Sequence, residues 1–221
     1  MIDMDIYPIE EYARQKLAGA LSSNDWWHTA RVRAAAMAIA KAEGGDLEVV
    51  EAAALLHDTE VGEEAARSGA VDHAELAAAK SRELLAKLGW PAAKTEAVVH
   101  AIDVHRFSKR KAPRTLEAKI LRDADRLDAM GAIGTARNFA FGGAMGRELW
   151  DPSVAPDAAR GREGKFVKGG KGTSSLNHFY EKLLLVKDLL ETKTGRQMAG
   201  GRHEFMLAFI DQFKREWTGE R

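Results

Sequence analysis

Apolar residues recur along this chain at three- and four-residue spacing while the alternation of a half-buried strand is scarce, so the pattern predicts an all-α protein. Alanine-rich runs add to this, because Ala has the highest helix propensity. The polar stretch Ser22-Ser23-Asn24-Asp25 offers N-caps for a helix over residues 26–43, which Gly44-Gly45 should stop. Asp46 caps the next helix, on which Val50, Ala53, Ala54 and His57 share one stripe, placing His57 on the core side. Asp72 caps a helix over residues 73–88 whose Leu76, Leu84, Leu85 and Leu88 form an apolar face, with Gly89 as its stop. Pro91 opens another that reaches about His105 and gives way to a basic loop with Lys109, Arg110, Lys111 and Arg114. Thr115 caps a helix over residues 116–130, with Leu121, Asp125 and Asp128 on one face. Residues 151–173, rich in Gly, Pro and charge, read as a long loop or lid containing Arg162, Lys165, Lys168 and Lys171. Two amphipathic helices close the chain. Leu176, Phe179, Tyr180, Leu183 and Leu190 mark one; Met206, Phe209, Ile210, Phe213 and Trp217 mark the other.

Composition narrows the function. A length of 221 residues suits one sizeable core, and a single domain over 1–221 is expected. Lys plus Arg and Asp plus Glu number 33 each, so no global field attracts duplex nucleic acid or an anionic membrane. Cysteine is absent, which removes disulfides and thiolate chemistry and leaves His and carboxylate as the strong metal ligands. The acidic start Met1-Ile2-Asp3-Met4-Asp5 lacks the character of a secretory signal, and no stretch approaches the ~18 apolar residues of a membrane span, so the expected address is the cytoplasm. The aromatic face of Phe209, Phe213 and Trp217 serves either the core or a contact between copies in a homo-oligomer.

The chemistry concentrates in Leu56-His57-Asp58, which closes an apolar run, together with His28 and Asp125. Two imidazoles and two carboxylates from separate helices make an N2O2 set that leaves coordination positions open, which suits catalysis rather than a structural clip. Phosphate ester or anhydride hydrolysis at neutral pH needs a strong nucleophile and a counter-charge for the phosphoryl oxygens. One divalent ion supplies both. Arg31, one turn after His28, is placed to clamp a phosphate, with Asp58 as the other catalytic candidate. His73 and His105 could serve a second ion, or merely open and close their helices. His100 lies on another face. Glu60, Glu63 and Glu64 follow the dyad, and no general acid is assigned among them. Asp128 could orient an imidazole.

The segments Asn24-Asp25-Trp26-Trp27-His28-Thr29-Ala30-Arg31, Leu55-Leu56-His57-Asp58 and Asp123-Ala124-Asp125-Arg126-Leu127-Asp128 resemble, in order and spacing, the HD-domain superfamily of metal-dependent phosphohydrolases. The likeness runs from Trp26 to Arg137, with an HD core expected over about 22–137 and a helical extension over about 175–218. A run from Asp123 to Arg137 and a later one, Asn177-His178-Phe179-Tyr180-Glu181-Lys182-Leu183, are similar to a single-domain bacterial branch. The resemblance implies that His28, His57, Asp58 and Asp125 hold a divalent ion (Mn, Fe, Co, Ni, Zn or Mg), and that His73 and His105 stand where six-ligand members hold a second. It implies a small phosphorylated substrate, most plausibly a nucleotide. His178 and Lys182 would either bind its phosphate or form a structural contact. Superfamily relatives that use a di-iron centre to activate oxygen supply one alternative; a non-catalytic nucleotide-binding module is another.

Overall fold

The computed structural model describes residues 5–19, 24–67, 70–106, 111–157 and 174–220. Among them every regular element is helical and no strand occurs, as the spacing predicts. Ser22, Ser23, Lys109, Arg110, Arg162, Lys165, Lys168, Lys171 and most of the predicted 151–173 loop lie outside the described residues. No helix among the described residues is long and apolar enough to cross a membrane. The chain divides into two compact units, Met1–Asp125 with Glu191–Gly195, and Arg126–Leu190 with Arg196–Arg221.

The first unit is built from α1 (Tyr7–Leu17), α2 (Trp26–Glu43), α3 (Leu47–Leu56), α4 (Val61–Ala66), α5 (His73–Lys87), α6 (Ala92–Val104) and the start of α7 (Leu116–Asp128). Aspartates set three of the starts. Asp25 accepts from the His28 amide at 2.8 Å, Asp46 from the amides of Glu48 and Val49, and Asp72 from those of Ala74 and Glu75. Gly44 ends α2 at φ +85°, a left-handed C-terminal position that suits glycine. Helix α3 has Val49, Val50 and all of Ala52 to Leu56 buried, so it has almost no polar face and forms the centre of the unit. It packs against α1, α2 and α6, while α5 lies along α6 and α4.

A late piece of chain completes this unit. The buried Asp123 carboxylate accepts from the Glu191 amide at 2.9 Å, the Thr192 amide at 2.7 Å and the Thr192 hydroxyl at 2.7 Å. Thr192 Oγ1 in turn accepts from the Gly195 amide at 3.0 Å. A Cβ on Gly195 would stand 2.7 Å from Asp123 Oδ2 and 2.6 Å from Thr192 Oγ1, so this approach requires glycine.

The second unit contains α8 (Gly131–Ala144), α9 (Asn177–Glu181), a 3-10 helix over Leu183–Leu189 and most of α10 (Lys193–Trp217). Phe139 packs against Phe179, Phe209 and Phe213, and Trp150 against Phe213 and Trp217, so the aromatic face of α10 contributes to this unit's own core. One prediction is corrected: the stretch 176–190 is a short helix followed by a 3-10 helix rather than one amphipathic helix, while the last helix, Lys193–Trp217, contains all five of its marker residues. Asp128 takes a 2.6 Å bond from Arg137.

Candidate metal centre

Four histidines reach one place from four helix ends. His28 and His73 sit in the first turns of α2 and α5; His57 and His105 are the residues that end α3 and α6. Carbonyls of the last helical turn anchor the second pair. His57 Nδ1 donates to Ala54 O at 2.8 Å and His105 Nδ1 donates to Ile102 O at 2.6 Å. A carbonyl can only accept, so the proton sits on Nδ1 and the Nε2 lone pair of the neutral ring is left for the site. His73 Nδ1 is held likewise, at 2.7 Å from Glu64 Oε2. The rings run in sequence, with centroids 5.5 Å apart for His28 and His57, 5.2 Å for His57 and His105, and 5.5 Å for His105 and His73.

Asp58 lies between these imidazoles on the turn after α3, a turn closed by Thr59 Oγ1 donating to Leu56 O at 3.0 Å. Its two oxygens face different partners. Oδ2 is 3.5 Å from Nε2 of both His28 and His57, whereas Oδ1 is 3.3 Å from His73 Nε2 and 3.4 Å from His105 Nε2. Asp125, in the last turn of α7, adds a carboxylate oxygen 3.5 Å from His28 Nε2. Ligand atoms of His28, His57 and Asp125 lie within 4.8 Å of one another, and so do those of Asp58, His73 and His105.

The electrostatics suit a cation. Burial opposes ionisation of Asp58, but the surrounding imidazoles, His57 first and then His105, His28 and His73, hold its carboxyl well below the usual range. Burial also opposes Asp125 ionisation, and His28 outweighs it, bringing that carboxyl down to about 2. Burial pushes His57 below its ordinary value despite Asp58, favouring the neutral ring. Ionised Asp and neutral His with Nε2 free of its proton are the states a metal requires, so these residues fit a divalent ion. His57 Nε2 is buried with no hydrogen-bond partner among the described residues, which is costly unless something else occupies its lone pair.

Other candidates sort by position. Arg31 is half-buried on α2, one turn beyond His28. His100 is elsewhere, its Nε2 accepting from the Arg114 amide at 3.1 Å. The three glutamates after the dyad differ. Buried Glu60 is engaged by Lys80 at 2.7 Å, Lys16 at 3.3 Å and the Tyr12 hydroxyl at 3.4 Å, tying α1 and α5 to the turn. Glu63 pairs with Arg67 on its own helix, and Glu64 holds His73. Asn24, read in the sequence only as a cap, donates to Asp58 Oδ2 at 2.5 Å; capping propensity gives no hint of that second use. His178 and Lys182 belong to the second unit, where burial, Lys182 and Arg147 bring His178 down to about 3.

Known proteins are similar to this chain over most of its length. The family model of the HD domain matches residues 26–130. Bacillus subtilis YpgQ is 34% identical over 215 residues, spanning 96% of this chain and 93% of that protein. The chain belongs to the HD superfamily of hydrolases. An HD-superfamily hydrolase from Bacillus thuringiensis has a crystal structure similar to it at TM-score 0.74 and 36% identity, covering 96% of each chain. The crystal structure of B. subtilis YpgQ in complex with ADP is similar at TM-score 0.71 and 30% identity, covering 98% of this chain and 100% of that one.

Proposed function

We propose that this HD protein is a metal-dependent phosphohydrolase acting on a nucleotide, at a phosphomonoester or pyrophosphate bond. The observation that carries the reading is the division of labour at Asp58, whose two oxygens each face a different pair of imidazole nitrogens. On this reading His28, His57, Asp58 and Asp125 hold one divalent ion, and Asp58, His73 and His105 hold a second. Divalent ions there would acidify water and neutralise phosphoryl oxygens. The chain's own groups do the rest. Arg31 clamps a phosphate by paired N–H donors, and the Asn24 amide steadies Asp58. The ADP complex of YpgQ supports a nucleoside phosphate as ligand.

The test is a panel of nucleoside mono-, di- and triphosphates incubated with Mn, Fe, Co, Ni, Zn or Mg, with phosphate and pyrophosphate release measured separately. Release that disappears in His57→Ala and Asp58→Ala, with helicity kept, is expected. Full activity in both variants overturns the reading. Four imidazoles and two carboxylates also suit a di-iron centre, so oxygen uptake with Fe(II), without phosphate release from any nucleotide, would favour an oxygenase instead.

A further inference from the structure

Of the histidines whose Nδ1 contact is given above, His57 and His105 lean on main-chain carbonyls, and only His73 leans on a side chain, the carboxylate of Glu64. That carboxylate is itself fixed. Arg106 Nη1 donates to Glu64 Oε1 at 2.6 Å and to Asp72 Oδ2 at 2.7 Å. Asp72 is the cap of α5, whose first residue is His73, and Arg106 directly follows His105. The two dipeptides Asp72-His73 and His105-Arg106 therefore interlock: one ion pair joins the helix ends that deliver two imidazoles to Asp58 Oδ1.

We infer that Glu64 and Arg106 are positioning residues, which fix His73 in the Nδ1-protonated tautomer and aim its Nε2 at Asp58, making the second ion's site dependent on a side-chain relay. A carboxylate acceptor fixes ring orientation as a carbonyl does, but it sits on a rotatable side chain. Without a clamp such as Arg106 it would wander. His73 heads its helix, where the adjacent backbone groups are donors and no last-turn carbonyl of the kind used by His57 and His105 is at hand. The relay supplies that missing acceptor. The consequence for an ion concerns Asp58, His73 and His105, and so rests on the two-ion reading above; the statement about the His73 tautomer does not.

Two measurements on the full-length chain separate these. The side-chain nitrogen spectrum of the metal-free protein, followed as pH is raised until the His73 ring has lost its second proton, reads each tautomer directly. His73 is expected as Nδ1–H in the wild type and in the control Glu63→Ala, and as a mixture in Glu64→Ala and Arg106→Met. Calorimetric titration with Mn2+ should then show one of two binding events weakened ~10–100-fold in Glu64→Ala, the other unchanged, and part of the loss restored in Glu64→Gln. A wild-type His73 carrying its proton on Nε2 overturns the inference. So does Glu64→Ala with the wild-type tautomer and Mn2+ affinity. If Glu64→Ala fails to fold, Glu64→Gln and Arg106→Met carry both measurements. Loss of nucleotide turnover in every metal, with the tautomer result intact, would count against the phosphohydrolase and leave the relay standing.

Discussion

Asp123 and Asp125 stand two residues apart on one helix and should fail in opposite ways when replaced. Two residues along an α-helix turn a side chain by about 200°, so only one of them can face the metal centre. Asp125 does; Asp123 points to the returning chain and accepts three hydrogen bonds there. A hydrogen bond to a charged group contributes about 1.5–3 kcal/mol, and orphaning buried donors costs on the order of 1–3 kcal/mol each. Glu191 is partly exposed and its amide can recover a water, whereas Thr192 is buried. Counting chiefly the two Thr192 donors, Asp123→Ala should cost roughly 3–5 kcal/mol of stability. Asp125→Ala should leave the metal-free chain within about 1 kcal/mol, because removing this half-exposed acid strands no buried donor other than the His28 ring. Gly195→Ala probes the same clamp from the other side, since its Cβ would collide with Asp123 Oδ2 and Thr192 Oγ1, at roughly 1–3 kcal/mol. Urea unfolding of the metal-free variants, followed by helical signal, gives the comparison. Asp123→Ala unfolding at the wild-type midpoint, or Asp125→Ala proving the less stable of the two, would refute the reasoning.

Two further outcomes concern the metal. If the two oxygens of Asp58 serve different ions, Asp58→Asn weakens both binding events and His28→Ala only one; four-ligand Zn2+ sites of about 10–16 kcal/mol imply roughly 2.5–4 kcal/mol per ligand, ~100–1000-fold in affinity. Calorimetry showing a single event disturbed in Asp58→Asn would contradict the sharing. For pH, burial works against a charged His73, but Asp58 and Glu64 prevail and raise it above 6.5, whereas burial lowers His57. His73 is thus protonated first on acidification, so Mn2+ uptake should begin to fall above pH 6.5, at the His73 and His105 side. In the metal-free chain the raised His73 pKa contributes stability below 6.5 that is lost as pH rises through its folded value, while the lowered Asp58 contributes above 3.8 and is lost on further acidification. Occupancy independent of pH down to about 5 would contradict the ligand assignment.

The parts of this chain legible from sequence are those with punctuation. Asp25, Asp46, Asp72 and Thr115 announce helix starts because a short oxygen side chain is the usual way to satisfy orphan amides, and Gly44 and Gly89 announce stops. His28, His57, Asp58 and Asp125 stood out instead as a ligand set in motifs resembling the HD superfamily, whereas His73 and His105 read equally as residues that open and close helices. Helix α8 is harder, since Gly131, Gly134, Gly142 and Gly143 weaken every propensity argument. The structure explains two of them by close approach, with a Cβ on Gly134 meeting the Ala129 carbonyl at 2.2 Å and one on Gly142 meeting Ser175 Oγ at 2.2 Å. The stretch 176–190 misled because an apolar spacing fits a 3-10 helix nearly as well as an α-helix. Nothing in spacing distinguishes Glu60 from Glu64. Their different work is set by Lys80 and Lys16 on one side and by Arg106 on the other, contacts made across long separations.

His57 and His105 also terminate helices, each ring tied to a carbonyl of its helix's last turn. A descendant that abandoned its chemistry would therefore still be selected to keep both imidazoles as punctuation, and their survival in a relative says little about turnover. Asp58 has no such second employment in α3. Its loss, rather than that of the neighbouring histidine, is the signature by which a silent member of the family could be recognised.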